Sequence, residues 1–468
     1  MQFHVAFIGL TAFVVFSADA GPSMHNPTYC YATDNIRPQI NMASVLTSYQ
    51  AIRRFNFTTV NPYVSTCSPS RLWYLGMYGT RLPNPPTLQR IIDFTQSSVQ
   101  NATIENYLAG RTTLCREDFE NIRDFTMDSE FGDLFRIENA AMVTESGIFA
   151  VQNISRRFQQ IFPNILSETY TPARFHFRHT STPQSNDSIR AFATGLFGEA
   201  GAANVVYEPV PDADWFLSPF SFCPAFDEET ADWERQRIAF REGPEIRELI
   251  EQVNRKLGFH TSNPMDFDQV WTMWNICVFA VATTFETSNS ETGPDSPWCA
   301  PFSIAHHLLL EYYEDMRWFY SRGYGVRNQR LLQNMNCGLM QDLLRHMQSE
   351  NDSDAMARIF MSSASEIQAM LVILGSFRDF WPMHQHNFAQ QTTRNWLMSL
   401  ITPYSGNLAA VRFDCDGGDH DVIFLLNERP ILVPGCDQQN GVCKLSFIVN
   451  RFQRFIDANC STLFCSDD

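Results

Sequence analysis

The stretch Leu72-Trp73-Tyr74-Leu75-Gly76-Met77-Tyr78-Gly79-Thr80-Arg81-Leu82-Pro83 decides how the chain folds. Its first four residues form an uninterrupted apolar and aromatic run, the pattern of a buried strand. Gly76, Gly79 and Pro83 then open the strand into a loop. Downstream, Thr144 starts a helix with apolar positions at Ile148, Phe149, Val151, Ile154, Phe158 and Ile161, stopped by Pro163. A second strand, residues 173–179, leads into a helix over residues 186–197. This strand–loop–helix order predicts an α/β fold with a mostly parallel central sheet flanked by helices.

From residue 205 to 350 the pattern becomes helical. Residues 245–257 are amphipathic, with Ile246, Leu249, Ile250, Val253 and Leu257 on one face, and helices over 267–284 and 303–320 follow. Strand-like segments return at 409–413 and 422–426, before a closing helix at 447–456. The economical division is an α/β core made of residues 21–204 and 351–468, with an α-helical cap inserted at 205–350. The longest later apolar stretch, residues 270–285, is too short to span a bilayer and contains Asn275, so it reads as a buried core helix.

Residues 5–16 are apolar and are followed by Ser17 and Ala18-Asp19-Ala20, so residues 1–20 read as a signal peptide. Export into an oxidising compartment suits twelve cysteines, an even number that allows up to six disulfides. Cys436, Cys443, Cys460 and Cys465 are poorly spaced for zinc, and disulfides are the expected use. Six Asn-x-Ser/Thr sequons, at Asn56, Asn101, Asn153, Asn186, Asn351 and Asn459, predict a secreted, extracellular glycoprotein. A formal net charge of −17 argues against nucleic acid or an anionic membrane as partner. It also disfavours polyanionic substrates outside a locally basic pocket.

Several segments taken together resemble the multiple inositol polyphosphate phosphatases, a branch of the histidine acid phosphatases. That family carries Arg-His-Gly-x-Arg-x-Pro at the end of its first strand, where this chain has Met77-Tyr78-Gly79-Thr80-Arg81-Leu82-Pro83. The helix from Thr144-Glu145-Ser146-Gly147 follows at the expected distance. Arg178-His179-Thr180 through Asp187-Ser188 to Ala191-Phe192-Ala193-Thr194-Gly195-Leu196-Phe197 matches the second block. Glu311-Tyr312-Tyr313-Glu314-Asp315, Arg322-Gly323-Tyr324-Gly325, Thr402-Pro403-Tyr404-Ser405-Gly406-Asn407-Leu408 and Leu425-Leu426-Asn427-Glu428 resemble the inositol-phosphatase branch in particular. The resemblance implies a histidine-phosphatase-like core with the helical cap.

The family hydrolyses phosphomonoesters through a phosphohistidine: an imidazole attacks phosphorus, arginines hold the phosphoryl oxygens and an acid protonates the leaving alcohol. By the resemblance, Tyr78 stands at the nucleophile and Met77 at an arginine, while Arg81 is retained. The phosphate-binding arginine of the second block aligns with Gln184. The third motif, His-Ala-Glu, aligns with Ser363-Ala364-Ser365, or with Glu366 after a one-residue slip. A phenol, with an ordinary pKa of about 10, is a poor substitute for imidazole, and Met donates no hydrogen bond. Among other histidines, His179 is a possible rescue nucleophile but fits the second block better. His384 and His386 read as a polar loop, and His306 and His307 as helix packing. Secreted phytases of the wider superfamily have a bridge in the arrangement of Cys67 and Cys415, which implies that pair; Cys436–Cys443 is expected as a short C-terminal loop.

The expected function is a secreted, catalytically inactive histidine-phosphatase-like glycoprotein with a binding, storage or assembly role. The alternative is a divergent phosphatase acting on inositol phosphates. No cofactor, metal or membrane span is expected. The partner is an unspecified small ligand or protein, with self-assembly one option, since 13% aromatic residues including 39 Phe suit either a larger core or an adhesive surface.

Overall fold

The computed structural model describes residues 28–37, 41–53, 67–127, 131–230, 233–260, 263–284, 296–351, 353–416 and 418–466. The expected signal peptide and the Asn56 sequon lie outside these residues. The strands are β1 (Cys67–Met77), β2 (Phe175–His179), β3 (Ala357–Ser362), β4 (Asn407–Cys415), β5 (Asp421–Leu426), β6 (Arg429–Pro430) and β7 (Val442–Lys444). They form one sheet in the order β2-β3-β1-β4-β5-β6, with β7 also pairing with β5. β1 runs parallel to β3, and β3 parallel to β2. β4 is antiparallel to both β1 and β5, so β5 points the same way as β1, β2 and β3. The central sheet is therefore mixed, with the main strand direction shared by β1, β2, β3 and β5, and it is flanked by helices.

β1 is buried over Arg71–Met77 because its side chains alternate between two separate apolar cores. Leu72 and Tyr74 face one core with Ile359, Met361, Ala409, Val411, Ile423 and Leu425. Trp73, Leu75 and Met77 face the other with Phe360, Leu408, Ala410, Phe424 and Leu426. A strand covered on both faces has no polar side to show, which is why the run at 72–75 lacks alternation.

The helices used below are α1 (Pro85–Thr95), α2 (Val99–Leu108), α3 (Arg116–Asp124), α4 (Glu145–Ile161), α5 (Pro183–Ala202), α6 (Pro244–Leu257), α7 (Phe267–Thr284), α8 (Ile304–Arg322) and α9 (Ala364–Leu374). α4 and α5 cover the first core through Val151, Ile154, Phe158, Ile189, Phe192 and Leu196. Thr144 caps α4 by accepting the Gly147 N–H, and Thr182 caps α5 with Pro183 at its first position. The second core continues into α6, α7 and α8 and also takes in Leu88, Ile91, Phe119 and Ile122 of α1 and α3. Phe94 meets Trp298 edge-on at 5.3 Å between ring centroids. α7 is buried over Val270–Ala282 except at Trp271, and no helix among the described residues is long and apolar enough to cross a membrane.

All twelve cysteines are paired, as Cys30–Cys115, Cys67–Cys415, Cys223–Cys465, Cys277–Cys299, Cys337–Cys460 and Cys436–Cys443. Six disulfides fit a secreted or lumenal protein. Cys67 sits opposite Cys415 in the β1–β4 register, so that bond pins the central pairing at one end.

A buried charge cluster ties the N-terminal segment to α8. Ser44 donates through Oγ to Asp315 at 2.6 Å and through N–H to Glu311 at 3.2 Å, while Arg394 pairs with Asp315 at 2.5 Å. One guanidinium thus serves two fully buried carboxyls. Burial first, and then the Asp315 charge, push the Glu311 pKa up to about 7. The unfolded chain releases this proton near the ordinary glutamate value of about 4.3, whereas the folded chain keeps it to about 7. The folded state therefore binds more protons between those values, and this group's contribution is lost as pH rises across the interval. Glu311→Gln keeps the shape without a proton to lose. Its thermal midpoint should fall less than that of the native chain between about pH 4.5 and pH 7.5; parallel curves would show that Glu311 does not titrate in this range.

Candidate functional site

The parallel strands β2, β3 and β1 end side by side, and their carboxyl-end loops converge at the edge where sheets of this class place ligands. The loop after β1 carries Tyr78 and Arg81, the segment opening α5 carries Gln184, and the segment opening α9 carries Ser363 and Ser365. Backbone contacts hold these loops together. The Gly79 N–H donates to Ser188 Oγ at 2.9 Å, and the Thr180 N–H to the Met361 carbonyl at 3.1 Å. The Thr144 N–H donates to the Thr80 carbonyl at 2.8 Å.

Gly79 and Gly147 permit the closest approach. A Cβ on Gly79 would lie 2.6 Å from the Gly147 carbonyl oxygen, and one on Gly147 would lie 2.3 Å from the Thr80 carbonyl oxygen. Only hydrogen fits between this loop and the first turn of α4.

The predicted site residues do different things. Met77 is 3% exposed and packs in the core. Tyr78 is half-buried, and Arg81 lies with its guanidinium carbon 5.5 Å from the Tyr78 ring centroid. Burial pulls the Arg81 pKa down, but the Tyr404 and Tyr78 oxygens, the latter hydrogen-bonded to the guanidinium, more than offset it and leave it raised. The group best suited to hold an oxyanion is thus engaged with the phenol beside it. Arg81 also donates to the Leu82 carbonyl at 2.8 Å. Gln184 donates to the Ala141 carbonyl at 2.8 Å.

The β3 end is used for capping. Ser363 Oγ accepts the Ser365 N–H at 3.2 Å, and buried Glu366 turns back to accept from Ser362 Oγ at 2.9 Å, Ser363 N–H at 3.2 Å and Ser363 Oγ at 2.8 Å. This capping box explains why a carboxylate sits at the start of α9. Burial raises the Glu366 pKa, and the hydrogen bonds from Ser363 and Ser362 oppose that rise. A cation not expected from the sequence lies here: Arg322, at the end of α8, donates through Nε to Ser365 Oγ at 3.3 Å. Burial lowers its pKa to about 10 against the opposing pull of Glu366. Its place in the block Arg322-Gly323-Tyr324-Gly325 was the only sequence signal for it.

The remaining histidines divide cleanly. His179 holds Nδ1 2.7 Å from the Thr180 carbonyl, so that nitrogen carries the proton, and its ring packs on Tyr207. His307 accepts from Trp274 Nε1 at 3.1 Å, and burial lowers its pKa to about 3. His306 belongs to the capping box that starts α8. His384 and His386 lie in a loop, their ring centroids 5.4 Å apart. Cys436, Cys443, Cys460 and Cys465 fall in three different disulfides. Of the described sequons, Asn101, Asn351 and Asn459 are exposed, while Asn153 and Asn186 are half-buried on α4 and α5.

Residues 79–427 match the histidine phosphatase superfamily (branch 2). The chain is 27% identical over 446 residues to the multiple inositol polyphosphate phosphatase 1 of Drosophila melanogaster, covering 93% of this chain and 90% of that one. The Homo sapiens protein of the same name is 25% identical over 344 residues, covering 68% and 67%. Among solved structures, the phytase from D. castellii superposes with a TM-score of 0.66 at 15% identity, covering 91% of this chain and 87% of that one. The Bifidobacterium longum multiple inositol polyphosphate phosphatase bound to inositol hexasulfate gives 0.60 at 10% identity, covering 87% and 96%.

The Gly79–Gly147 contact gives a direct check on how this edge is built. Gly147→Ala should destabilise the protein by about 1–3 kcal/mol, the usual cost of overpacking, as read from its denaturant midpoint. An unchanged midpoint would show that the loop after β1 does not press on α4.

Proposed function

This chain belongs to branch 2 of the histidine phosphatase superfamily, and from that premise we propose that it is a secreted pseudophosphatase glycoprotein. Its scaffold delivers loops to the strand ends, but its side chains no longer carry phosphoryl transfer. The observation that carries this reading is Tyr78 at the end of β1, where it gives Arg81, the arginine expected to hold phosphate by the resemblance, a phenol partner. Met77 and Gln184 supply no charge to replace the arginines expected at their positions. Ser363 and Ser365 are spent on capping α9 and on Arg322. Losing one charge-assisted contact costs about 1.5–3 kcal/mol, and the loss of several together with the nucleophile removes the mechanism. The exposed sequons Asn101, Asn351 and Asn459 support glycosylation. A binding, storage or assembly role follows for a protein that keeps such a scaffold without its chemistry.

The relatives named as phosphatases favour a second reading, a divergent phosphatase of inositol phosphates, in which Arg81 and Arg322 hold the anion. Phosphate release from phytate and p-nitrophenyl phosphate, across acid to neutral pH, separates the two. The native chain should release none above the buffer blank. A Tyr78→His, Gln184→Arg, Ser363→His, Ser365→Glu variant, made with and without Met77→Arg because Met77 is core, should regain measurable turnover. Turnover by the native chain would overturn the pseudophosphatase reading.

A further inference from the structure

We propose that the helical part of the molecule holds a second binding site, a cavity that takes a small organic carboxylate. The inference is independent of whether the strand-end loops are catalytic. The cavity, of about 190 Å³, lies where the N-terminal segment at Tyr29 and the residues before α3 meet the last turn of α6 and the start of α8. Its volume is close to the roughly 150 Å³ of an engineered cavity that takes up benzene, which suits a compact ligand rather than a polyphosphorylated ring.

The lining reverses the sign of the molecule. The chain has 51 Asp and Glu against 34 Lys and Arg, yet Lys256 and Arg255 both line this cavity and none of its described lining residues is acidic. Arg255 is exposed at the rim, while Lys256 is only 7% exposed. The Tyr29 carbonyl takes one of the three ammonium protons of Lys256, which leaves two able to turn to a ligand. The anion nearest Lys256 in electrostatic effect is Asp118, whose carboxylate oxygens already accept the Tyr31 and Ala32 N–H groups at 3.0 and 2.8 Å. Burial lowers the Lys256 pKa, as expected of a cation whose charge is not fully answered by the protein.

The polar wall is fixed in advance. Ser303 donates its N–H to His306 Nδ1 at 3.2 Å, so Nε2 carries the imidazole proton and gives it to Gln252 Oε1 at 2.8 Å. Gln252 in turn donates to Glu248 at 2.9 Å. Groups locked by such a chain lose little freedom when a ligand arrives. Pro301 and Phe302 line the same cavity and supply carbon surface. Two cations beside an apolar wall match a carboxylate on a small apolar body.

The test uses the purified full-length glycoprotein and fluorobenzoate, followed by fluorine NMR line broadening, with fluorobenzyl alcohol as the uncharged counterpart and inorganic phosphate as competitor. Fluorobenzoate should bind and the alcohol should not. Lys256→Gln should weaken binding about tenfold or more, the loss of one charge-assisted hydrogen bond. Arg255→Gln should weaken it several-fold, and because that side chain is exposed the variant keeps the test open if Lys256→Gln does not fold. No broadening, equal binding of the alcohol, or unchanged affinity in the folded variants would overturn the proposal. Phosphate that binds where fluorobenzoate does not would overturn its apolar half.

Discussion

Burial of β1 on both faces is the constraint on which the rest of the structure depends. A strand with no solvent side must satisfy its backbone through its neighbours, here β3 on one edge and β4 on the other. It must also place consecutive side chains in different cores. That requirement separates Leu72 and Tyr74 from Trp73, Leu75 and Met77, and it demands helices over both faces. α4 and α5 meet the demand on one face. The helix Cys337–Gln348 and α9 meet it on the other, backed by the larger helical layer that includes α1, α3, α6, α7 and α8. The Cys67–Cys415 bond holds the register at the far end, which leaves the carboxyl end of β1 to emerge at a fixed point.

Strand ends are positioned by backbone pairing, so the scaffold fixes where the residues at these ends stand, whatever their side chains do. The residues at these ends each have a local structural use. Met77 fills core, Gln184 ties α5 to the Ala141 carbonyl, and Ser363 with Glu366 caps α9. None of these roles needs a phosphate, and each stabilises the edge on its own terms. Arg81 donates to the Leu82 carbonyl, and its guanidinium is held beside two phenols rather than in an ion pair. The close contact between Gly79 and Gly147 belongs to the scaffold as well, because it sets how near the loop after β1 lies to α4.

Buried charges do the work of fixing segments that have little regular structure. Arg157 grips Glu428 with two hydrogen bonds of 2.7 and 2.6 Å, and Tyr49 donates to the same carboxylate at 2.9 Å, so the short helix Tyr49–Arg53 is tied to α4 and the turn after β5. Asp315 and Glu311 do the same for Ser44, whose positive φ of 52° is otherwise unfavourable for a non-glycine residue. Breaking either set would leave a buried carboxylate without its partner, a cost well above that of an exposed pair.

The sequence by itself determined the elements whose signals are local. The apolar run at 72–75 marked β1, and Thr144 and Pro163 marked the ends of α4, because caps and breakers act within a few residues. α5 begins at Pro183, earlier than the expected 186, since the Thr182-Pro183 start is a cap signal that apolar periodicity does not register. Tyr78, Gln184 and Ser363 stood out in the sequence as candidate site positions, but not as partners of Arg81, Ala141 and Glu366. Only the tertiary structure decided those pairings, the gathering of Arg322 onto Ser365, and the meeting of Lys256 with Tyr29 across 227 residues. Contacts between distant segments depend on how helices and strands stack around the two cores, and no local pattern in the chain encodes that distance.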